Sequence, residues 1–175
     1  MRRLSGLRYL AIFLLAAAAR AESNDGYRVK AAFLFNFAKF VEWPAAAFRT
    51  PSDPLLICIA GENPFGDSLE RAVQGKSAGT HPFVIRVISE IPQGAACQIL
   101  FVPDSERRRF AAADLPRTAG LLTVGETGGF AAQGGVVNFK IEGGHVRFQI
   151  NLDAAERQKL VISSKLLSLA EVLRK

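Results

Sequence analysis

Residues 54–60 spell PLLICIA, an unbroken apolar run that Gly61 brings to an end. A short run of this kind is typical of a strand buried on both faces. A helical segment follows at about residues 64–73, and the two together predict a βα unit. Such a unit is the building block of α/β folds, so further strands are expected beside this one.

Three further strands are predicted downstream. The runs 83–88, 98–102 and 121–124 are short, apolar and separated by polar segments. Asp104 or Ser105 is a suitable N-cap for a helix after the second of them. Strands that alternate with helices predict a mostly parallel sheet with helices against its faces.

The pattern changes toward the C-terminus. Two alternating runs, 136–141 and 145–150, flank Glu142-Gly143-Gly144, and adjacent glycines accept the positive φ of a tight hairpin turn. The apolar side chains expected to face each other are Phe139 and Ile141 in the first run and Val146, Phe148 and Ile150 in the second. The predicted fold is therefore a single α/β domain with a mixed, mostly parallel sheet flanked by helices and a C-terminal antiparallel hairpin.

The last part of the chain is predicted to be helical over residues 153–159 and 164–174. Ser163 or Ser164 is the expected N-cap of the final helix. The side chains expected to face the core from this helix are Leu166, Leu169, Ala170 and Leu173. No repeat or linker interrupts the sequence, which predicts one domain over residues 22–175.

Residues 1–21 are typical of a secretory signal peptide. Residues 1–9 contain three arginines and no acid, residues 10–19 are all apolar, and Ala19 and Ala21 offer small side chains for cleavage. The apolar run is about half the length of a membrane span, so a cleaved signal is favoured over an anchor. We therefore expect export to a bacterial periplasm.

Removal of the signal changes the charge balance. The full chain carries 22 Lys+Arg and 16 Asp+Glu, and the signal holds four of the arginines and no acid, which leaves 18 against 16 and a net charge of +2. A chain so close to neutral gives no reason to expect nucleic acid as a partner. The remaining length is sufficient for one domain with its own core.

A long helix is predicted from about Gly26 to Trp43, capped by Asn24 or Asp25 and stopped by Pro44. Its apolar side chains form two stripes, with Val29, Phe33, Phe37 and Phe40 on one and Leu34, Phe35, Ala38 and Val41 on the other. A helix that is apolar on two faces is buried on both. Two interpretations stay open: a central core helix, or a helix that also packs on a partner.

The mature chain has two cysteines, Cys58 and Cys97. An even count in an oxidising compartment permits a disulfide, which we favour. Two buried thiols that pack as small apolar side chains are the alternative.

No catalytic or metal-binding pattern emerges from the sequence. His81 and His145 belong to no spaced ligand set, so no metal site is predicted. The segment 163–165, Ser-Ser-Lys, lacks the Ser-x-x-Lys spacing of a serine nucleophile with a lysine base. We therefore predict neither an enzyme nor a cofactor, and a hydrolase is the weakest hypothesis because no nucleophile has a visible base.

The loop GENPFG at residues 61–66 is the candidate for a small-ligand site. It follows a buried strand, and open α/β sheets bind ligands beyond the carboxyl ends of their strands. The ligand-binding candidates are Gly61, Glu62, Asn63, Phe65 and Gly66. The loop lacks the glycine spacing of nucleotide-binding loops. A small-ligand sensor or solute-binding domain is therefore the alternative function.

Several motifs, taken in order, are similar to those of one family. The opening signature is KAAFLFNFAKFVEWP at residues 30–44, and NPFG follows at 63–66. The later motifs are Gly129-Phe130, Gly134-Gly135, Asn138-Phe139, Arg147-Phe148, Ile150-Asn151, Ser163-Ser164 and Leu166-Leu167. Over essentially its whole mature length, the chain resembles the YfiR-like periplasmic proteins.

This resemblance implies a periplasmic α/β domain that acts by protein contact and has no known catalysis. The best-known member of the family represses an inner-membrane diguanylate cyclase by binding its periplasmic sensor region, which controls cyclic-di-GMP output and biofilm growth. An outer-membrane lipoprotein or a redox change relieves that repression. Cys58 and Cys97 fall where the family can carry a disulfide, but the second cysteine pair of that member is missing, since no cysteine follows Cys97.

The resemblance thus implies a periplasmic regulatory binding protein that represses an inner-membrane diguanylate cyclase. The expected partners are the periplasmic part of an inner-membrane signalling protein, an outer-membrane lipoprotein and a second copy of the chain. Aromatic side chains anchor protein interfaces. The partner-binding candidates are accordingly Phe33, Phe37, Phe40 and Trp43.

Overall fold

The computed structural model describes residues 25–91 and 97–174. The predicted signal peptide, residues 1–21, lies outside this part of the chain. The described strands are β1 (Val41–Glu42), β2 (Leu55–Ala60), β3 (Ser77–Ala78), β4 (His81–Ile88), β5 (Ile99–Val102), β6 (Leu122–Gly125), β7 (Val137–Glu142), β8 (His145–Asn151), β9 (Val161–Ile162) and β10 (Glu171–Leu173). The helices are α1 (residues 25–40), α2 (Ser68–Val73), α3 (Leu152–Arg157) and α4 (Ser164–Leu167), with 3₁₀ turns at Ala45–Ala47, Asp104–Glu106 and Ala112–Asp114.

Eight of these strands form one mixed sheet in the order β10-β8-β7-β6-β5-β2-β4-β3. Parallel pairing runs from β7 through β6, β5 and β2 to β4 and also joins β8 to β10. The β7–β8 and β3–β4 pairs are antiparallel, and β1 and β9 form a separate antiparallel pair. The predicted fold, a single α/β domain with a mixed, mostly parallel sheet, is confirmed.

The PLLICIA run forms β2, which lies in the sheet between β4 and β5. Leu55, Ile57 and Ile59 pack on the side covered by α1 and α2, whereas Cys58 and Ala60 pack on the other side. All five residues are at most 1% exposed. Because both faces are covered, every position of the strand favours an apolar side chain, which is the reason for the continuous run.

The face of the sheet opposite α1 is covered by loops. Phe110 and Leu115 of the connection after β5, and Phe130 of the connection after β6, pack on Cys58 and Leu100 of the sheet. The domain therefore has a helical layer on one face and an irregular layer on the other.

The helix expected after Asp104 or Ser105 is not formed, and the chain makes 3₁₀ turns there instead. The Asp104 side chain does not cap a helix, because its Oδ1 accepts a hydrogen bond from Thr127 Oγ1 at 2.9 Å. Tight turns also allow Phe110 and Leu115 to reach the sheet within a short span.

The predicted hairpin is confirmed with its register. Phe139 pairs with Phe148, and Ile141 pairs with Val146, across β7 and β8. The turn glycines, 143–144, take φ values of 55° and 78°, the left-handed conformation that this tight turn requires at both positions.

α1 ends earlier than the sequence predicts. Residues 41–42, expected to be helical, form β1 and pair with residues 161–162 of β9. The Ser163 amide donates a hydrogen bond to the Phe40 carbonyl at 3.0 Å. Pairing with a distant segment, and not Pro44, therefore ends the helix.

The final helix predicted over residues 164–174 is wrong beyond its first turn. α4 covers Ser164–Leu167, and Ser163 Oγ accepts from the Leu166 amide at 3.3 Å, which confirms Ser163 as its cap. The chain then extends as β10, because the edge of β8 offers backbone hydrogen-bonding groups. Leu166 faces the core as expected, but Leu169 is 64% exposed.

Phe37 has no exposed surface, and its ring centroid lies 5.7 Å from that of Phe139 and 5.2 Å from that of Phe148. Phe37→Ala is expected to lower the free energy of unfolding by about 3–5 kcal/mol, because the neighbours fill the cavity only in part. Urea denaturation of the mature protein, followed by Trp43 fluorescence, measures the change. Val29→Ala, at an exposed position of the same helix, is the control and is expected to cost less than about 1 kcal/mol. Equal losses would contradict the core placement of Phe37.

Candidate partner-binding surface

The four partner-binding candidates separate into a buried and a half-exposed group. Phe37 is fully buried and belongs to the core. Phe33, Phe40 and Trp43 are partly buried and pack against the same core cluster. Of the four candidates, only these three side chains therefore have surface available for direct contact with a partner.

The three half-exposed side chains are each fixed on the domain from one side. The Phe33 ring lies 5.1 Å from the ring of Phe148 on β8. The Lys165 ammonium of α4 lies 5.7 Å from the centre of the Phe40 ring. Trp43 Nε1 donates to the backbone carbonyl that precedes β5 at 3.4 Å. Held in this way, the rings offer their remaining surface to a partner.

A groove of about 920 Å³ runs between the first half of α1 and the tip of the β7–β8 hairpin. We call it the α1–hairpin groove. The residues that line it are Asp25, Gly26, Tyr27, Val29, Lys30, Phe33, Ile141, Gly144, His145, Val146 and Arg147. Val29 and Ile141 are 40% and 59% exposed, so each wall presents an apolar side chain to solvent. Phe33 belongs both to this groove and to the half-exposed aromatic group.

A buried ion pair fixes the α1 wall of the groove. Lys30 pairs with Glu126 in the loop after β6, and the two side chains are only 11% and 8% exposed. The Tyr27 hydroxyl and the Asp104 amide both donate to Glu126 Oε1 at 2.9 Å. Glu126 thus fastens the first turns of α1 to the carboxyl ends of β5 and β6.

Sequence reasoning missed this cluster. Lys30 and Glu126 are 96 residues apart, and nothing in the local pattern pairs them. One positional signal was available, since Glu126 directly follows a buried strand, where polar groups of α/β sheets gather. Burial raises the pKa of the Tyr27 hydroxyl above its ordinary value, and the charge of Glu126 and the hydrogen bond to it raise it further.

Glu126→Gln is expected to lower the free energy of unfolding by about 3–5 kcal/mol, because the buried Lys30 ammonium loses its counter-charge. The pKa of Tyr27 is expected to fall toward its ordinary value, since the charge that opposes ionisation is removed. Tyr27 is the only tyrosine after the predicted signal peptide, so ultraviolet titration of the mature protein reports it alone.

The control for this prediction is Glu142→Gln, which removes an exposed partner of Lys140. This control is expected to change the free energy of unfolding by less than about 1 kcal/mol and to leave the Tyr27 titration unchanged. An unchanged Tyr27 titration in Glu126→Gln would show that the two groups are not in contact.

The candidate ligand loop, residues 61–66, uses its polar groups internally. Asn63 Oδ1 accepts from the Phe65 amide at 2.9 Å, and Asn63 Nδ2 donates to the Gly66 carbonyl at 3.1 Å. Phe65 is buried, with its ring 4.8 Å from that of Phe101 on β5. This turn also delays α2, which begins later than predicted.

The crevice beside this loop is filled by the chain itself. Gly61 follows β2 where the strand order reverses, the usual ligand position in open α/β sheets. The Glu106 side chain occupies that space, since a Cβ on Gly61 would come within 2.1 Å of Glu106 Oε1. Among the ligand-binding candidates, Phe65 is therefore a core residue, and Gly61 makes room for Glu106.

Cys58 and Cys97 form a disulfide, as favoured from the sequence. Cys58 lies on β2, and Cys97 precedes β5, so the bond ties two neighbouring parallel strands that are separated in sequence by β4. Both residues are buried in the core cluster on the face opposite α1.

Reduction of the disulfide is expected to lower the free energy of unfolding by about 4 kcal/mol, because the bond closes a loop of 39 residues in the unfolded chain. Urea denaturation of the mature protein with and without reductant measures the difference. The double variant Cys58→Ala, Cys97→Ala is the control, and its midpoint is expected not to respond to reductant. A response of equal size in this variant would contradict the assignment.

Neither histidine joins a metal-binding group. The His81 ring stacks on Phe48 at 3.7 Å, and its Nδ1 lies 2.7 Å from the Asp53 carbonyl oxygen. Within residues 25–91 and 97–174, no cluster of His, Cys, Asp and Glu side chains is arranged to hold a metal ion. None of the helices in the described part of the chain is long and apolar enough to cross a membrane.

These observations define the class of the protein as a mixed α/β domain with an exposed apolar groove beside its first helix. The family model described as YfiR/HmsC-like matches residues 27–171, which is most of the chain. The chain therefore belongs to the YfiR/HmsC-like family, and the resemblance inferred from its motifs is confirmed. No curated protein matches it significantly.

Proposed function

We propose that this chain is a periplasmic regulatory binding protein that represses an inner-membrane diguanylate cyclase by contact with the cyclase's periplasmic part. Membership of the YfiR/HmsC-like family across residues 27–171 carries the proposal. The signal-peptide pattern of residues 1–21 supports export. The expected cellular effect of the chain is lower cyclic-di-GMP and less biofilm.

The contact surface that we propose joins the half-exposed side chains Phe33, Phe40 and Trp43 to the α1–hairpin groove. Aromatic side chains dominate interface energies when a partner removes their exposed surface from water. Phe37 supports this surface from below, with its ring 6.1 Å from that of Phe33. The exposed apolar walls of the groove extend the surface toward the hairpin.

Both walls of this groove are fixed before a partner arrives. The Lys30–Glu126 pair holds α1, and the continuous β7–β8 register holds the hairpin. A preformed surface binds without the entropy cost of ordering its own segments. This rigidity suits a repressor that occupies its target until another protein removes it.

For Cys58 and Cys97 we propose a structural role. Their disulfide is buried on the sheet face opposite α1, so its reduction acts on stability and not directly on the contact surface. Without cysteines after Cys97, a second disulfide cannot serve as a switch. We therefore assign release of the target to a protein partner, such as the outer-membrane lipoprotein that the resemblance implies.

The test captures partners of the mature protein, tagged at its C-terminus, from detergent-solubilised inner membranes of the native host. Mass spectrometry is expected to identify a protein with a diguanylate cyclase domain, with and without reductant. The variant Val29→Lys, Ile141→Lys charges both walls of the groove and is expected to reduce recovery at least about ten-fold. Ala113→Lys, at an exposed position of the loop layer opposite α1, is the control and is expected to retain the partner.

Cellular cyclic-di-GMP provides the second readout. Deletion of the gene is expected to raise the cyclic-di-GMP level. The wild type or Ala113→Lys is expected to restore the lower level, whereas the groove variant is not. Full recovery of the cyclase by the groove variant would show that the contact lies elsewhere on the domain. Failure to recover any cyclase, together with thermal stabilisation by a periplasmic metabolite, would favour the small-ligand sensor.

A further inference from the structure

The outer edge of β4 is open along most of its length. β4 spans His81–Ile88, but its outer neighbour β3 pairs only with His81 and Pro82. Within the described residues, no other strand pairs with that edge. Residues 83–88, which pair with β2 on their inner side, are therefore an unpaired edge strand.

The direction of the peptide groups along this edge follows from two contacts. The Gly61 amide donates to the Ile88 carbonyl at 2.9 Å, so the Ile88 carbonyl faces β2. The peptide groups of a strand point alternately to its two sides. His81 pairs with Ala78 on the outer side, which agrees with this alternation. The outward-facing peptide groups of residues 83–88 are those of Phe83, Ile85 and Val87.

The side chains of this edge favour strand pairing. Residues 83–88 spell FVIRVI. Apart from Arg86, these residues are one phenylalanine and four apolar β-branched residues, which are the types that favour strands. Val87 is 56% exposed. Proteins usually protect such an edge with proline, lysine or a bulge. Neither proline nor lysine interrupts residues 83–88, and Arg86 is the one charged residue among them, so the edge is able to accept an added strand of opposite charge.

Three cationic side chains lie beside the edge, and one exposed carboxylate, Glu90, follows the strand. Arg86 is exposed within the strand. The Phe83 ring lies 5.7 Å from that of Phe35, and the ammonium groups of Lys39 and Lys76 lie 5.4 and 4.5 Å from the Phe35 ring. None of the three cations forms an ion pair within the described residues. An incoming strand that carries carboxylates would therefore be complementary in charge.

Two registers in which a second copy of the chain could pair with this edge are unfavourable. An antiparallel pair centred on Ile85 would bring Ile88 of each copy to the place beside Pro82 that Ser77 of β3 already occupies. A pair centred on Arg86 would set two guanidinium groups directly opposite each other, which is destabilising.

We propose that the open edge of β4 binds an extended, acidic segment of a partner protein by β-strand addition. The peptide groups of Phe83, Ile85 and Val87 supply the backbone hydrogen bonds, and Arg86, Lys39 and Lys76 supply the charge preference. The α1–hairpin groove lies at the β7–β8 side of the sheet, so this second site does not depend on the cyclase proposal.

The probe is a short synthetic peptide, blocked at both ends, in which glutamate and valine alternate. It is titrated into the isotope-labelled mature protein, and amide hydrogen exchange is followed by NMR. The amides of Phe83, Ile85 and Val87 are expected to become protected, whereas those of Val84 and Arg86 are expected not to change because they already face β2. A peptide with lysine in place of glutamate is expected to bind at least about ten-fold more weakly.

Val87→Pro removes an outward-facing donor without breaking a bond to β2, so the fold is expected to persist. Its affinity for the glutamate peptide is expected to fall at least about five-fold, whereas Val87→Thr, which keeps the donor, binds like the wild type. Arg86→Glu is expected to reverse the preference between the two peptides.

Three outcomes would overturn the proposal. The first is that neither peptide protects any amide of β4 at millimolar concentration, and the second is that protection appears only at the α1–hairpin groove. The third is concentration-dependent dimerisation of the protein alone that Val87→Pro abolishes, which would make a second copy the occupant of the edge.

Discussion

Burial of β2 on both faces is the constraint on which the rest of the domain depends. A strand whose side chains are apolar on both sides is stable only when a layer covers each face, and each fully buried aliphatic side chain contributes about 1.5–3 kcal/mol. α1 and α2 cover one face. The connections after β5 and β6 cover the other, and Cys58–Cys97 ties the segment that precedes β5 to β2 on that same face. Within the sheet, β2 pairs with β4 on one side and with β5 on the other.

α1 shows how one helix combines two duties. Leu34 and Phe37 bury its inner side, and Lys30 pairs with Glu126 to lock its first turns to the sheet. Phe33 and Phe40, which belong to the same aromatic stripe as Phe37, lie at the margin of this contact and are only partly buried. The helix is therefore a core element, and its half-exposed margin is the surface on which the proposed partner contact depends.

The two ends of the sheet differ in a way that bears on regulation. The β7–β8 end carries the preformed groove, and the β4 end carries an unpaired, cation-lined edge, with β6, β5 and β2 between them. The groove and the edge share no residue, although Trp43 of the proposed contact surface and Lys39 beside the edge line one pocket. The repressor that we propose would hold one protein and respond to another, and coupling between the two sites would pass through the shared sheet.

The sequence by itself determined the elements whose signals are local. The apolar run of β2, the glycine turn at 143–144 and the Ser163 cap each depend on neighbouring residues, and all three are formed. The hairpin register followed as well, because a one-residue slip would turn every apolar side chain to the wrong face. The sequence also predicted the cysteine pair, which forms a disulfide, and it predicted the aromatic helix on which the proposed contact surface lies.

Only the tertiary structure decided where distant segments meet. It ended α1 by pairing residues 41–42 with β9, turned the end of the predicted last helix into β10, and brought Lys30 to Glu126. It also decided which aromatic rings remain half-exposed. Phe33 and Phe37 belong to the same predicted stripe and both contact Phe148, but the packing against β7 and β8 buries Phe37 completely and Phe33 only in part. The physical reason is that backbone pairing and buried charge depend on partners far along the chain, whereas propensity and periodicity report only on residues within a few turns.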